Sequence, residues 1–483
     1  MEVMNYRLIN SILGRVIMLL GLFMLLPCLV GICYGERKDA IIYLSLAVFC
    51  FILGKLARIC KPKSATFYAK EGFLAVSLSW IVMSLIGALP FVLNQDIPSY
   101  TDALFEITSG FTTTGSSILN NVENLSHANL FWRSFSHWIG GMGVLVFILA
   151  ILPMSGGSTI NLMKAESPGP SVGKLVPKMQ QTAFLLYAIY FAMTIIEIIL
   201  LLIGNMPLFD SLCHAFGTAG TGGFGIKADS IAGYSVYLQG VITVFMFLFG
   251  VNFTFYYYIL IHKIKDAFQI EEVRWYFFFY AGAVFFITIT LIQSGGSIFE
   301  SFHHTAFQVA SIMTTTGYAT VNFDQWPEFC RSIMVALMFI GACAGSTGGG
   351  IKVSRIMIYL KQVKKELMQQ IHPRQIRVIK MDGKAIDHTT VRSCNVFLMS
   401  YAVIYTLSVL LISLDGFDFT TNFTAVTATL NNIGPGLNMV GPNGNFSAFS
   451  IFSKYVLIFD MLAGRLEIIP MMILFHPGTW RKS

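Results

Sequence analysis

Thr112-Thr113-Thr114-Gly115-Ser116 lies between two long apolar stretches, and its like returns three times: Thr221-Gly222-Gly223-Phe224, Thr314-Thr315-Thr316-Gly317-Tyr318 and Asn431-Asn432-Ile433-Gly434-Pro435. The key glycines stand 108, 94 and 117 residues apart. That is too far for a solenoid repeat, but enough for a membrane helix, a loop that enters and leaves by the same face, and a second helix. Four such loops around one axis make a pore.

The sequence around these turns supports a membrane setting. The chain has 483 residues, 55% hydrophobic and 12% charged, with a mean hydropathy of +0.67. Its apolar residues come in runs, at 16–33, 40–53, 73–93, 144–152, 183–203, 241–261, 276–292 and 397–414, which leave no room for a sizeable soluble domain. A lipid-exposed backbone must satisfy its own hydrogen bonds, so these runs read as helices, and the alternation of a β-barrel is missing. The fold class is therefore an all-α polytopic membrane protein. The eight cysteines, at 28, 33, 50, 60, 213, 330, 343 and 394, follow no metal-ligand spacing and read as core residues. The first apolar run lacks a small-residue cleavage site and is followed at once by another, so it is expected to stay in the membrane.

Charge gives the orientation. Lys55, Arg58, Lys61, Lys63 and Lys70 cluster after the second run; Lys352, Arg355, Lys361, Lys364, Lys365, Arg374, Arg377, Lys380 and Lys384 cluster late; Arg481 and Lys482 close the chain. The positive-inside rule makes all three cytoplasmic, with both termini inside. The net charge of +7 is then topology and contact with membrane lipid, not nucleic-acid binding. The connectors before the small-residue turns carry Asp96, Asp102 and Glu106; Asp210; Glu300; and Asp415 and Asp418, an outer mouth whose sign favours cations. Segments such as 102–112 and 418–430 are too short to span and read as half-helices that dip in and stop. The expected organisation is two N-terminal helices over 1–66 and four helix, pore helix, turn, helix units at 67–176, 177–271, 272–386 and 387–483. This makes ten full spans and four half-helices. Residues 155–178 read as a cytoplasmic loop, and Met381-Asp382-Gly383-Lys384 as the turn of a small hairpin.

A dehydrated monovalent cation needs oxygen ligands, and ringed backbone carbonyls supply them without a fixed buried charge. Aiming successive carbonyls at one axis requires unusual dihedrals, which Gly115, Gly223, Gly317 and Gly434 permit. In the third unit, five glycines among residues 341–350 interrupt the second helix, either as a loop hanging below the turns or as a kink. Arg465 breaks an apolar last helix, facing a cavity or snorkelling to the cytoplasm; Glu467, two positions on, faces another side. Glu197 reads as lying near the outer end of its helix, in a lateral pairing or interfacial role. His137 and Asn252 read as helix ties, and His303 and His304 as solvated residues at a helix start. No clustered ligands or nucleophile with a base point to an enzyme, and no glycine-rich dinucleotide fingerprint or Walker lysine is present.

These turns, with Trp138-Ile139-Gly140-Gly141-Met142-Gly143, the run Gly341-Ala342-Cys343-Ala344-Gly345-Ser346-Thr347-Gly348-Gly349-Gly350-Ile351-Lys352 and Asn431-Asn432-Ile433-Gly434-Pro435-Gly436, resemble the TrkH/KtrB/HKT superfamily of potassium transporters. The likeness covers the whole chain and is nearest the TrkH branch, with its two extra N-terminal helices. The resemblance implies a potassium-binding selectivity filter of backbone carbonyls at Thr113, Thr114 and Gly115; Thr221, Gly222 and Gly223; Thr315, Thr316 and Gly317; and Asn432, Ile433 and Gly434. Gly115, where sodium-favouring relatives tend to carry serine, points to potassium. Only the first and third turns are threonine-rich and the fourth is Asn-Asn-Ile-Gly, an asymmetry that leaves sodium or rubidium passage open. The resemblance further implies a gate made of Gly345, Ser346, Thr347, Gly348, Gly349 and Gly350 with Arg465, a homodimer with one pore per protomer, and control by a cytoplasmic nucleotide-binding regulatory (TrkA-like) subunit, for which 352–384 is a docking surface. Potassium is the substrate and no cofactor is expected. The expected function is potassium uptake across a bacterial inner membrane, the alternative being symport with protons or sodium through Glu197.

Overall fold

The computed structural model describes residues 5–59, 69–143, 179–375 and 377–480. The apolar run 144–152, the loop 155–178 and the basic residues Lys61, Lys63, Arg481 and Lys482 lie outside them.

The chain opens with an antiparallel pair, Tyr6–Phe23 continued by Leu25–Cys33, then Arg37–Ala57. Small residues set how closely the two pack: a methyl group on Gly14 would stand 2.7 Å from the Gly54 carbonyl oxygen, and one on Gly21 would stand 2.8 Å from the Cys50 Cβ. Cys50 is buried in that seam. Among the described residues the cysteines are free thiols and buried, except Cys33, which is exposed.

Four repeats follow. Each begins with a long helix: Ala69–Gly87 with Leu89–Asn94, Met179–Ile203, Glu271–Gln293 and His388–Ile412. A short helix comes next: Tyr100–Phe111, Leu208–Ala219, Ile298–Met313 and Phe419–Leu430. The chain then turns and enters a second helix: His127–Met142, Val236–Phe249, Glu328–Phe339 and Ile451–Arg465. Three of the second helices start on a serine, Ser126, Ser235 or Ser450, whose hydroxyl accepts a first-turn amide.

The second helices are short unbroken pieces, the first of them followed in the chain by residues 144–152, which lie outside the described residues. They run 16, 14, 12 and 15 residues, which at ~1.5 Å per residue falls short of a hydrocarbon core of ~30 Å. Among the described residues six helices are long and apolar enough to cross a membrane, or seven if one bent pair is a single span. That pair is Val236–Phe249 and Phe253–Leu260, bent by 93°, so 241–261 is not the continuous span expected. The break is stabilised locally and from outside: the Asn252 side chain accepts from the Thr254 amide, while Cys343 N donates to Gly250 O and Phe253 N donates to Gly345 O. The expected hairpin forms, Lys380–Met381 against Lys384–Ala385, with Asp382 and Gly383 both left-handed as a two-residue turn requires.

The outside is apolar. Phe277, Phe278, Phe285 and Phe286 on one long helix are each more than half exposed. The turns between short and second helices are buried instead, with Thr112, Thr113, Thr114, Thr221, Thr315 and Asn432 all sealed from solvent. Polar residues inside and phenylalanine outside suit a protein whose solvent is lipid.

Candidate functional site

Each short helix ends in the same motif. Thr113, Thr221, Thr315 and Asn432 take left-handed conformations, with φ of 55°, 54°, 60° and 55°. Their amides donate to Gly110, Thr218, Ile312 and Thr429, and the next amides to Ser109, Gly217, Ser311 and Ala428 at 2.8 Å in every copy. This is a Schellman ending built on threonine or asparagine where glycine is usual. Left-handed threonine is strained by roughly 1–3 kcal/mol. Side-chain bonds offset part of it: Thr112 and Thr114 share a hydroxyl bond of 2.7 Å, as do Thr314 and Thr316, and Asn432 Nδ2 donates to Thr114 Oγ1 at 2.8 Å and to Met461 O at 2.9 Å.

Two residues further, Gly115, Gly223, Gly317 and Gly434 are again left-handed, with φ of 82°, 73°, 90° and 104°. A methyl group on Gly115 would overlap the Gly222 carbonyl oxygen; on Gly223, that of Thr316; on Gly317, that of Ile433; and on Gly434 it would stand 3.0 Å from that of Thr114. The contacts run first to second, second to third, third to fourth and fourth to first. Four stretches from separate quarters of the chain thus close a ring, each glycine lying beside the carbonyl that precedes its neighbour's glycine. All four glycines line one cavity of about 140 Å³ on the acidic side.

Most of the acids on that side have partners. Glu106 is fully buried and pairs with Arg133 at 2.6 Å, while it also accepts from Ile118 N. Arg133 in turn donates to Gly225 O at 2.8 Å and lies 3.5 Å over the Phe224 ring, which ties the exit of the first turn to that of the second. Asp102 pairs with Lys454, Asp210 accepts from Tyr234, Asp415 accepts from Ser450 N, and Asp418 caps its short helix. The Thr421 hydroxyl leads the contacts that hold Asp418 below the usual carboxylate range. Of the acids expected at the outer mouth, Asp102 and Glu106 are neutralised by Lys454 and Arg133, while Asp210, Asp415 and Asp418 keep their charge in neutral hydrogen bonds. Arg133 was missed, although a charge inside Phe131-Trp132-Arg133-Ser134-Phe135 is the available signal.

On the opposite side, residues 340–352 form a loop between Glu328–Phe339 and Val353–Ile371. Its ends are pinched together, Gly341 N donating to Ile351 O and Val353 N to Ala342 O. The middle presses on the turns. Gly349 N donates to Thr315 Oγ1 at 2.6 Å, a methyl on Gly348 would come 2.9 Å from Thr314 O, and one on Gly349 would come 2.7 Å from Asn431 O. Gly345 and Gly350 are left-handed, and the Ser346 hydroxyl donates to Cys343 O. Arg465 reaches across, donating to Thr347 O at 2.9 Å, to Gly141 O at 2.8 Å and to Gly140 O. One guanidinium thus joins the fourth repeat, the loop and the first repeat.

Several expectations change here. Arg465 ends its helix instead of interrupting it, because Glu467 and Ile468 are left-handed and break the chain. Glu467 pairs with Arg355. Lys352 and Arg355 are buried, with the Lys352 ammonium on the Gly349 and Gly348 carbonyls, so neither belongs to the solvated basic run. Lys352 is drawn in by loop carbonyls that have no helical partner, and Arg355 by the Glu467 carboxylate. Glu197 is fully buried, not interfacial. His303 and His304 are half-buried, bonding Gln239 on a neighbouring helix and Thr320 in the following turn. His137 bonds Gly110 O and fills the space a side chain at Gly222 would take.

The family model described as TrkH, cation transport protein, matches residues 42–481. The Trk system potassium uptake protein TrkH of Salmonella typhimurium is 35% identical over 492 residues, covering 99% of this chain and 100% of that one. The protein of the same name from Escherichia coli K12 is 34% identical over 489 residues with the same coverage. The crystal structure of the potassium transporter TrkH from Vibrio parahaemolyticus superposes with a TM-score of 0.87 at 32% identity, covering 99% and 100% of the two chains.

Proposed function

This chain belongs to the TrkH family of cation transport proteins, and from that premise we propose that it takes up potassium across a bacterial inner membrane through one pore on the axis of the four turns. It is a multi-pass membrane transporter and not an enzyme; potassium is cargo, not cofactor. The observation that carries the reading is the closed ring of glycine-to-carbonyl contacts. Carbonyls of Thr113, Thr114 and Gly115, Thr221, Gly222 and Gly223, Thr315, Thr316 and Gly317, and Asn432, Ile433 and Gly434 replace the ion's lost water. The four short helices end at the ring, and their C-terminal partial charge favours a cation there.

Residues 345–350 and Arg465 form the gate. Glycine supplies the loop's flexibility, and the guanidinium holds the loop against the filter while repelling the permeant ion. The basic side faces the cytoplasm. With Lys352, Arg355 and Lys361 committed to internal bonds, docking of a cytoplasmic nucleotide-binding subunit falls to Lys364, Lys365, Arg374, Arg377, Lys380 and Lys384. The exposed phenylalanines meet lipid or a second copy in a homodimer.

The test is cation flux into liposomes holding the purified protein, with and without its cytoplasmic partner, comparing potassium, rubidium and sodium. Potassium flux that the partner modulates supports the reading; no potassium flux under either condition refutes it. Symport with protons or sodium remains the second reading because Glu197 is a buried carboxylate in the membrane domain. Current that reverses at the potassium equilibrium potential at every pH dismisses it.

A further inference from the structure

Glu272 occupies the second position of the long helix Glu271–Gln293, 4% exposed, and neither the filter nor the gate assignment uses it. Its Oε1 accepts from Ala344 N at 2.7 Å and from Ser354 N at 3.0 Å. Those amides stand at the two feet of the intramembrane loop. Its Oε2 accepts from Asn252 Nδ2 at 3.4 Å, and Asn252 sits at the 93° break of the second repeat. One carboxylate oxygen therefore draws together both ends of the segment that presses on the filter. It also lies at the start of its own helix and beside the first turn of Val353–Ile371, two helix ends that favour a negative charge.

What the carboxylate encloses is the part of the loop able to move. Gly345 and Gly350, both left-handed, lie between the two feet, as do the Gly349 amide that meets Thr315 and the Thr347 carbonyl that meets Arg465. Arg465 and Thr315 hold the loop from above; Glu272 holds it from below. Glu272, Ala344, Ser354 and Asn252 also form one wall of a cavity of about 1060 Å³, whose other walls include Lys263, Arg274 and the 381–385 hairpin turn. The cavity lies on the basic side, so the lower hold opens toward the cytoplasm.

We propose that Glu272 is the clasp of the intramembrane loop: a positioning residue that keeps the pore shut by joining the loop's feet, and the point at which the loop is released from the cytoplasmic side. This rests on the gate reading above. With the clasp open, the feet separate, the loop swings on Gly345 and Gly350, and Thr315 loses its contact with Gly349.

The experiment compares wild type, Glu272→Gln, Glu272→Asp and Arg465→Ala in liposomes without the cytoplasmic partner, together with hydrogen exchange of the peptide covering 344–354. Glutamine keeps the shape but loses the charge; we expect basal potassium flux to rise about tenfold, exchange at 344–354 to quicken, and the potassium-to-sodium ratio to hold. Aspartate keeps the charge but shortens the reach, and its flux should fall between the two. Should glutamine not survive purification, the aspartate variant alone decides: raised flux with an unchanged ion ratio supports the clasp, and wild-type flux overturns it. Raised flux in Arg465→Ala without a rise in either Glu272 variant overturns the clasp and leaves the gate standing. No rise in any variant overturns both. A rise accompanied by a lost ion ratio reports a loosened filter and overturns the clasp.

Discussion

Replacing Arg465 by alanine gives the strongest test of the gate. The guanidinium donates to Thr347 O on the loop and to Gly140 O and Gly141 O on the first repeat's second helix. A hydrogen bond to a charged group is worth roughly 1.5–3 kcal/mol. Arg465 is only partly buried, so the low end applies, and two independent tethers, one to the loop and one to the helix, give about 3 kcal/mol. At ~1.4 kcal/mol per decade the ratio of closed to open protein falls about a hundredfold. The same change removes a positive charge from the ion's path, so the two effects add. Potassium-driven flux into liposomes, measured without the cytoplasmic partner, should rise steeply, while melting in detergent stays within a few degrees. Arg465→Lys separates the two contributions, because it keeps the charge but cannot reach both acceptors with one planar fork; its flux should rise less. Basal flux equal to wild type in the alanine variant, with the fold intact, refutes the gate assignment.

Gly223→Ala places a methyl group on the Thr316 carbonyl and 2.8 Å from its carbon, so potassium flux should fall at least about a hundredfold without loss of expression; wild-type flux would remove these carbonyls from the pathway. Gly115→Ser crowds the Gly222 carbonyl at a φ of 82°, and relative sodium passage in a mixed-cation flux assay should rise; an unaltered ratio counts against the filter. Glu106→Gln strips a buried arginine of its partner and should cost about 3–5 kcal/mol in detergent unfolding, whereas Glu106→Leu with Arg133→Met should recover much of it; a milder single variant would show the pair to be dispensable. Asp418 is held below its unfolded pKa by Thr421 and Asn438, so its contribution is complete above the unfolded value of ~3.9 and is lost as pH falls through the folded one. Asp418→Ala should flatten the acid limb of the melting curve, and an unchanged limb would show the cap to be silent.

The glycine spacing was readable because only glycine fits where one backbone meets another, and four separate turns repeated that demand. The threonines were harder. Nothing local marks Thr113 or Thr315 as left-handed, since threonine resists that region; their conformation is imposed by the ring and by hydroxyls two residues apart. Lys352 and Arg355 were misplaced for a related reason. A count of basic residues treats a lysine after a glycine run and a lysine in a surface helix alike, yet the first lies within reach of unpaired carbonyls at a broken helix and the second does not. The same breaks shortened the expected spans: hydropathy across 241–261 is continuous, but the backbone groups of Gly250 and Phe253 bond Cys343 and Gly345 in a loop of the next repeat.

The four turns share a backbone but not the means of holding it. In the first and third, a threonine before the strained residue bonds a threonine after it, so the brace is internal. The second has Gly222 at the latter position, and no hydroxyl; the His137 ring occupies the space instead. The fourth has Ile433, and its brace is the Asn432 amide reaching to Thr114 and to Met461. Internally braced turns therefore alternate with turns braced by other parts of the protein. A carbonyl ring distinguishes ions of different size only as far as it resists collapse onto the smaller one. Here the second and fourth turns rest on the second helices of the first and fourth repeats, which bear His137 and Met461. Those helices also supply Gly140, Gly141 and Arg465 to the gate. The same two helices thus carry contacts to the filter turns at His137 and Met461 and contacts to the loop at Gly140, Gly141 and Arg465, at different positions along each helix.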